Sequence, residues 1–331
     1  MLKNNNVILT GIQASGALHL GNYIGAGLNL LKTIHAKPNA LIFLMIADFH
    51  ALTTFDKNKK ISDSTEEVAK FFQFFIKDFK NAYIFRQSQI AEHSELFWIL
   101  NNFTPLGQLQ RMTQFKDKKG KNNDEKINAG LLNYPILQAA DILLYDADFV
   151  PVGIDQKQHL EFTADIAQRI NNTICPLFTI PMPIISDDSS HKIMSLRDGT
   201  KKMSKSDESD MSRINLTDSN DLIQNKIKKA KTDSIANIYH DKENRPEISN
   251  LMNIMSFLSG FSIKDIENKY IGERSMPVFK ADLASLIIEK VLEIKTFISN
   301  TNLDKLDEDE HFIKKIAQEK LSIVKTKLGL L

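Results

Sequence analysis

Lys202 and Lys205 stand three positions apart in KKMSKSD (201–207), a polar run that follows the turn residues Asp198, Gly199 and Thr200. Two ammonium groups on such a loop suit a cluster of phosphates, whose charge they neutralise as it builds at a reacting phosphoryl centre. A second candidate lies near the start, in GIQASGALHLGNYIGA (11–26), where His19 and Asn22 are also three apart. There an apolar run ends at Gly11, a glycine-bearing turn follows, and Leu20, Tyr23, Ile24, Leu28 and Leu31 recur at helical spacing. A helix N-terminus presents unpaired N–H groups and favours anions, so both side chains are expected to face one phosphate group. Each stretch also has a plain structural reading. KMSKS would serve as a solvated linker, the glycines would serve turns and packing, and His19 would be a polar surface residue. Neither G-x-x-x-x-G-K-[ST] nor G-x-G-x-x-G is found in the segment 11–26, so the two better-known phosphate loops do not fit.

The elements that must hold these residues alternate in type. NVILT (6–10), ALIFLMIA (40–47) and AYIF (82–85) read as buried strands by length and near-continuous apolarity. STEEVAKFFQFFIKDF reads as a helix opened by a capping box at Ser64 and Glu67. NYPILQAADILLY (133–145) reads as a helix with Pro135 in its first turn. FVPV, Gly153 and a helix from about 155 to 171 complete the pattern. This rhythm predicts an α/β fold, a Rossmann-like doubly wound parallel sheet with helices on both faces. Its ligands are expected at the carboxyl ends of the strands. Residues 117–128, DKKGKNNDEKIN, read as an aperiodic mobile loop. Beyond about 185 only helical patterns follow: 220–231, 248–258, 263–270, 278–299 and roughly 309–327. A boundary is expected near residue 200, with a C-terminal all-helical domain whose last helix either stays there or folds back onto the first domain. Lys226, Lys228, Lys229 and Lys231 read either as a phosphate-holding face or as a plain solvated one.

The net charge is +1 over 331 residues, so any nucleic-acid contact must come from local patches rather than a global field. One cysteine, Cys175, excludes an intrachain disulfide and a multi-cysteine zinc site. The apolar run in MLKNNNVILTG is too short for a signal peptide, and the longest apolar run is far short of a membrane span. A soluble cytoplasmic chain without membrane partners is expected.

Longer stretches carry a resemblance. HLGN (19–22) is similar to the HIGH signature, and KMSKS (202–206) to the second signature, of class I aminoacyl-tRNA synthetases. RMTQFKDK, GLLNYPILQAADILLYDADFVPVGIDQKQHLE, IMSL, ISNLMNIMSFLSG and VFKADLA resemble the bacterial tryptophanyl-tRNA synthetases, nearly from Gly11 to Ala284 and more weakly to the end. The block VPVGxDQKQH separates that family from the tyrosine enzymes of the same fold. The resemblance implies activation of L-tryptophan by ATP with Mg²⁺, giving tryptophanyl-adenylate and pyrophosphate, and transfer of the aminoacyl group to tRNA(Trp) with release of AMP. It implies a first domain (1–200) for ATP and tryptophan, and a second (201–331) with the KMSKS loop and helices for tRNA and anticodon. It also implies a homodimer. No covalent nucleophile is needed, because positioning and charge stabilisation suffice.

Carried over by position, the resemblance places Gln13, Ala14, Ser15, His19, Gly21, Asn22, Gly153, Ile154, Asp155, Ile193, Lys202, Met203, Ser204, Lys205 and Ser206 at ATP. Among these, His19, Lys202 and Lys205 would act in catalysis, with Lys118 as a further phosphate-binding lysine. Leu9, Gly11, His50, Tyr134, Gln138, Asp141, Val150, Val152 and Gln156 would form the tryptophan pocket, with Asp141 accepting the indole N–H. No metal ligand is assigned, Mg²⁺ being held mainly by the ATP phosphates. Asp141 also reads as a buried carboxylate with a structural partner, Asp155 as a helix N-cap, and Tyr134 and the valines as core. The chain departs from the family at Ala14 (usually proline), Ile154 (commonly acidic) and Gln138 (often methionine; glutamine is frequent in the tyrosine enzymes). Asn22 replaces the second histidine of HIGH, as is usual in the family. The KMSKS loop is expected to be mobile without ATP. The rival readings are a tyrosine enzyme or a nucleotidyltransferase of this fold, and a non-catalytic paralogue that binds RNA or senses an amino acid.

Overall fold

The computed structural model describes residues 5–15, 17–54, 57, 60–119, 128–185, 192–205, 207–272 and 276–331, the side chains of 117–119 and 155 excepted. The sheet has five parallel strands: β1 (Val7–Gln13), β2 (Leu41–Ala47), β3 (Ala82–Arg86), β4 (Phe149–Val152) and β5 (Met182–Ile185). Their order is β3-β2-β1-β4-β5. The strand order reverses between β1 and β4, where open α/β sheets form a crevice at their carboxyl edge. β1 runs in register with β2 from Val7 opposite Leu41 to Gln13 opposite Ala47. It continues three residues past the apolar run that announced it, because its polar end still pairs with β2. β5 is the strand the sequence did not announce. Met182 and Pro183 are exposed there, so no apolar run marks it.

Two helix starts differ from the sequence reading. The helix Ile61–Ile76 begins at Lys60, leaving Ser64 inside it rather than at a cap. The helix Ala129–Leu143 begins four residues before Asn133, because the Asn128 side chain accepts from Leu131 N at 2.8 Å. Pro135 therefore sits inside that helix and removes one ladder hydrogen bond. Of 117–128, expected to be an aperiodic loop, the backbone to Lys119 continues the helix Thr113–Lys119, and 120–127 lie outside the described residues.

The chain divides into two compact units that interleave in sequence. One contains 1–15, 33–186 and 302–331; the other contains 16–32 and 187–301. The first unit holds the sheet and a core in which Val7, Leu9, Phe43, Phe85, Ile136, Leu143, Val150, Ile166, Ile313 and Leu321 are all buried. Its last helix, Asp304–Lys327, lies along β3. Asp309 Oδ2 accepts from Ile84 N at 2.9 Å, and Glu310 Oε1 accepts from Arg86 N at 2.9 Å. The second unit packs the helices Asn220–Lys228 and Pro246–Ser259 on Met276–Asn300, burying Ile223, Ile227, Leu251, Met252, Phe279, Leu283 and Ile287. Among the described residues no helix is long and apolar enough to cross a membrane.

Candidate active site

In the second unit the two lysines and His19 share one scaffold. Ile193–Ser195 and Lys201–Met203 form the arms of a hairpin: Met203 N donates to Ile193 O at 2.9 Å, and Ser195 N to Lys201 O at 2.8 Å. The turn between them is an Asx turn, Thr200 N donating to Asp198 Oδ1 at 3.0 Å. Strand alternation then buries Met203 and leaves Lys202 exposed. Leu196 N reaches Ser212 O at 2.8 Å, Leu20 N reaches Ile214 O at 2.8 Å, and Leu216 N reaches Leu18 O at 2.9 Å. His19 and Asn215 form an antiparallel bridge. A continuous set of backbone bonds thus joins two motifs about 180 residues apart. Through Met203 the lysine segment is one arm of that hairpin.

His19 is 4% exposed, not a surface residue. Asn22 Oδ1 accepts from His19 N at 3.0 Å, so that oxygen caps the turn rather than facing a ligand. Gly21 leaves room for the His19 ring, since a Cβ there would stand 3.0 Å from its Cε1 and Nδ1. Burial, then the charges of Lys205, Arg213 and Lys202, bring the His19 pKa down to about 4. The imidazole is therefore neutral near pH 7, with Nδ1 buried and without a hydrogen-bond partner among the described residues. A neutral donor beside three cations suits a polyphosphate, whose charge the cations offset without competition from a protonated ring.

Arg213 is a member of this cluster that sequence reasoning missed. Its guanidinium is held by Asn215 Oδ1 at 3.1 Å, Asp207 O at 3.0 Å and Asp210 Oδ1 at 3.2 Å. Lys226, read as part of an exposed basic face, is fully buried and bonds Asp210 Oδ2 and Asp218 Oδ2, both at 2.7 Å. Asp218 Oδ2 also accepts from Asn215 N at 2.9 Å. Lys226 thus supports the strand bridged to His19. Lys231 pairs with Glu247 at 2.6 Å. The four lysines therefore do not share one exposed face, whether for phosphate or for solvent, because Lys226 is buried and held by two carboxylates.

In the first unit the helix Ala129–Leu143 aligns Tyr134, Gln138 and Asp141 at i, i+4 and i+7, one face of the helix. Asp141 is 1% exposed. His50, in the short helix after β2, meets its Oδ2 through Nε2 at 2.8 Å. Gln87 Nε2 and His93 Nδ1, from the segment after β3, each meet Oδ1 at 2.7 Å. Burial alone would raise the carboxyl pKa, but the hydrogen bonds from His50 and His93 bring it to about 2. Asp141 is an anion with three side-chain partners, as its structural reading expects. Tyr134 packs edge-on to His50, with ring centroids 6.3 Å apart. Its hydroxyl donates to Gln114 Oε1 at 2.5 Å and lies 2.6 Å from His159 Nε2. Gln13 Nε2, at the end of β1, donates to His50 O at 2.9 Å. The fold therefore brings together Gln13, His50, Tyr134 and Asp141.

The other residues are placed as follows. Leu9 and Gly11 lie on β1, with Ala14 buried and Ser15 half-buried just beyond it. Val150 and Val152 lie on β4, followed by Gly153 and the single turn Ile154–Gln156. Ile154 is 76% exposed. Ile193 is buried on its hairpin arm, and Ser204 and Lys205 are half-buried. The side chains of Lys118 and Asp155, and all of Ser206, lie outside the described residues. Gln87, His93 and Tyr145 escaped the sequence reading. Gln87 and His93 do follow β3 at the carboxyl edge of the sheet, the position that would have singled them out.

Residues 2–294 match the class I tRNA synthetases for W and Y. The chain belongs to this family. The tryptophan--tRNA ligase of Rickettsia conorii is 48% identical over 308 residues, spanning 93% of this chain and 90% of that one. The crystal structure of tryptophanyl-tRNA synthetase from Mycoplasma pneumoniae superposes with a TM-score of 0.85 at 32% identity, covering 99% of this chain and 98% of that one. The Campylobacter jejuni tryptophanyl-tRNA synthetase complexed with ADP and tryptophan gives 0.80 at 32% identity, covering 98% and 100%.

Proposed function

We propose that this synthetase activates L-tryptophan with ATP and transfers it to tRNA(Trp). The observation that carries the reading is the 48% identity to a tryptophan--tRNA ligase across 93% of the chain. The buried anion at Asp141 would accept from an indole N–H or a phenol O–H alike, so the preference for tryptophan over the tyrosine alternative rests on that identity.

In this reading the tryptophan carboxylate attacks the α-phosphate, one P–O bond forms, and the bond to pyrophosphate breaks. Lys202 and Lys205 offset the charge that develops, with the field of Arg213 added. Neutral His19 donates to a phosphate oxygen without holding the product by full charge. Mg²⁺ arrives on the ATP phosphates as part of the substrate. Gln13, Ser15, Gly153, Asp155 and Ile193 would line the nucleotide, and Lys118 would be a further phosphate contact. His50, Tyr134, Gln138, Asp141, Val150, Val152 and Gln156 would enclose the amino acid. The helices of 201–301 would meet tRNA, in a cytoplasmic homodimer.

Pyrophosphate exchange into ATP, run with tryptophan, tyrosine and neither, tests the reading. Exchange dependent on tryptophan is expected. Exchange dependent on tyrosine would reassign the substrate, and none with either would argue for a non-catalytic paralogue. Charging of tRNA(Trp) transcripts then tests the second step.

A further inference from the structure

Behind Asp141 a chain of buried groups has no role in the steps above. Tyr145, 1% exposed, lies with its hydroxyl 2.8 Å from His93 Nε2, and His93, 0% exposed, places Nδ1 2.7 Å from Asp141 Oδ1. We propose that Tyr145 and His93 are positioning residues for amino-acid selection, a fixed donor chain that holds Asp141 with one oxygen saturated and the other turned to the ligand. This rests on the reading above that Asp141 pairs the indole N–H.

For a neutral His93 ring the hydrogen bonds allow one proton arrangement. Asp141 has acceptors only. A donor must therefore stand on His93 Nδ1; otherwise two lone pairs would face each other at 2.7 Å. With that proton on Nδ1, Nε2 of the neutral ring accepts, and the Tyr145 hydroxyl must donate to it. Burial first, and then the nearby charges of Asp141 and Glu92, raise the tyrosine pKa well above its ordinary value, so the hydroxyl keeps the proton it donates. Asp141 Oδ1 accepts from both Gln87 and His93, which fills its two lone-pair sites. Oδ2 accepts only from His50 among the described residues and retains one site. His50, 14% exposed at its side chain, is the open side of the cluster. The chain is also immobilised by packing. Tyr145 meets Phe43 and Phe85 edge-on at 5.5 and 5.3 Å, and His93 stacks on Phe85 at 6.0 Å. A carboxylate so held cannot rotate to exchange its oxygens, so the acceptor left over keeps one direction.

Tyr145→Phe removes one hydroxyl without changing the packing, and pyrophosphate exchange on the full chain reads the effect. His93 Nε2 would then lack its donor, and the ring, still bonded to Asp141 through Nδ1, would lose the anchor that fixes its orientation. The KM for tryptophan is expected to rise about tenfold, the scale of leaving one buried polar atom unpaired. The KM for ATP should not move, and the preference for tryptophan over phenylalanine should narrow. ¹⁵N spectra of histidine-labelled wild type give an independent readout that needs no variant: His93 should be neutral and protonated on Nδ1. A proton on Nε2 in the wild type would overturn the proposal, as would Tyr145→Phe with unchanged tryptophan KM and preference. Equal rises in both KM values would assign Tyr145 to general structure. Asp141→Ala, run alongside, separates the two levels. If it narrows the preference and Tyr145→Phe does not, only the donor chain is lost. If it leaves the preference intact, the indole is read elsewhere and both ideas go.

Discussion

His19 is useful because it does not charge. Unfolded, an imidazole takes its proton near pH 6.5; folded, burial and then Lys205, Arg213 and Lys202 delay this to about 4. Between those values the unfolded chain binds more protons than the folded one, so stability falls as pH is lowered through the window and this contribution levels off below it. The loss is on the order of 3 kcal/mol at most. Asp141, with a folded pKa of about 2, adds a further loss as pH falls from its ordinary 3.8 toward 2. Urea midpoints between pH 7 and 4 should show the first effect in wild type and a flatter slope in His19→Asn. Gly21→Ala should displace the ring, which a Cβ would approach to 3.0 Å. It should lower kcat for adenylate formation while leaving tryptophan binding, measured by fluorescence quenching, nearly unchanged. His19, Lys202 and Lys205 were legible because short spacings carry them. Arg213, Gln87, His93 and Tyr145 were not, since their meaning lies in partners that only the fold brings near.

Elements were legible where one physical signal dominated. β2 and β3 are buried on both faces, so continuous apolarity marked them to within a residue or two. β5 is not, and it went unread. The start of Ala129–Leu143 was displaced because the Asn128 cap competed with the better-known Pro135 pattern, whereas Ile61–Ile76 starts without a side-chain cap. The last helix illustrates a different limit. β3 is an edge strand, and its outward N–H groups at Ile84 and Arg86 would be bare. Asp309 and Glu310 on the helix Asp304–Lys327 accept from both, while Arg86 closes on Glu310 at 2.6 Å. Nothing in an acidic run DEDE announces strand capping. Asp309→Ala should cost about 1–3 kcal/mol, the penalty for a buried N–H left unpaired. Asp307→Ala, whose partner bond is exposed, should cost well under 1 kcal/mol. Urea unfolding of the two variants measures the contrast, and equal losses would mean that the edge is not the reason.

At the scale of the chain, an interleaved division replaces a single cut. A parallel sheet and a helical half were legible from the change of period. That residues 16–32 group with 187–301 was not, and the return of 302–331 to the sheet was legible only as one of two alternatives, because each exchange rests on long-range pairing. The His19 segment goes with the lysine hairpin through the bonds of Leu18 and Leu20 to Leu216 and Ile214. The last helix goes with the sheet because Ile313, Ile316, Ala317, Leu321 and Val324 bury there. Removing 302–331 should therefore damage the part most distant from it in sequence rather than the part next to it. The helices Pro246–Ser259 and Met276–Asn300 keep their own contacts through Leu251, Met252, Phe279 and Leu283. Amide hydrogen exchange on the shortened chain should show faster exchange at Ile84 and Arg86 and in the neighbouring β2. Protection along 248–258 and 279–294 should stay within a few-fold of wild type, since cooperative units exchange by their own opening free energies. Uniform loss of protection in both sets would show instead that the two units open together and that the last helix supports both.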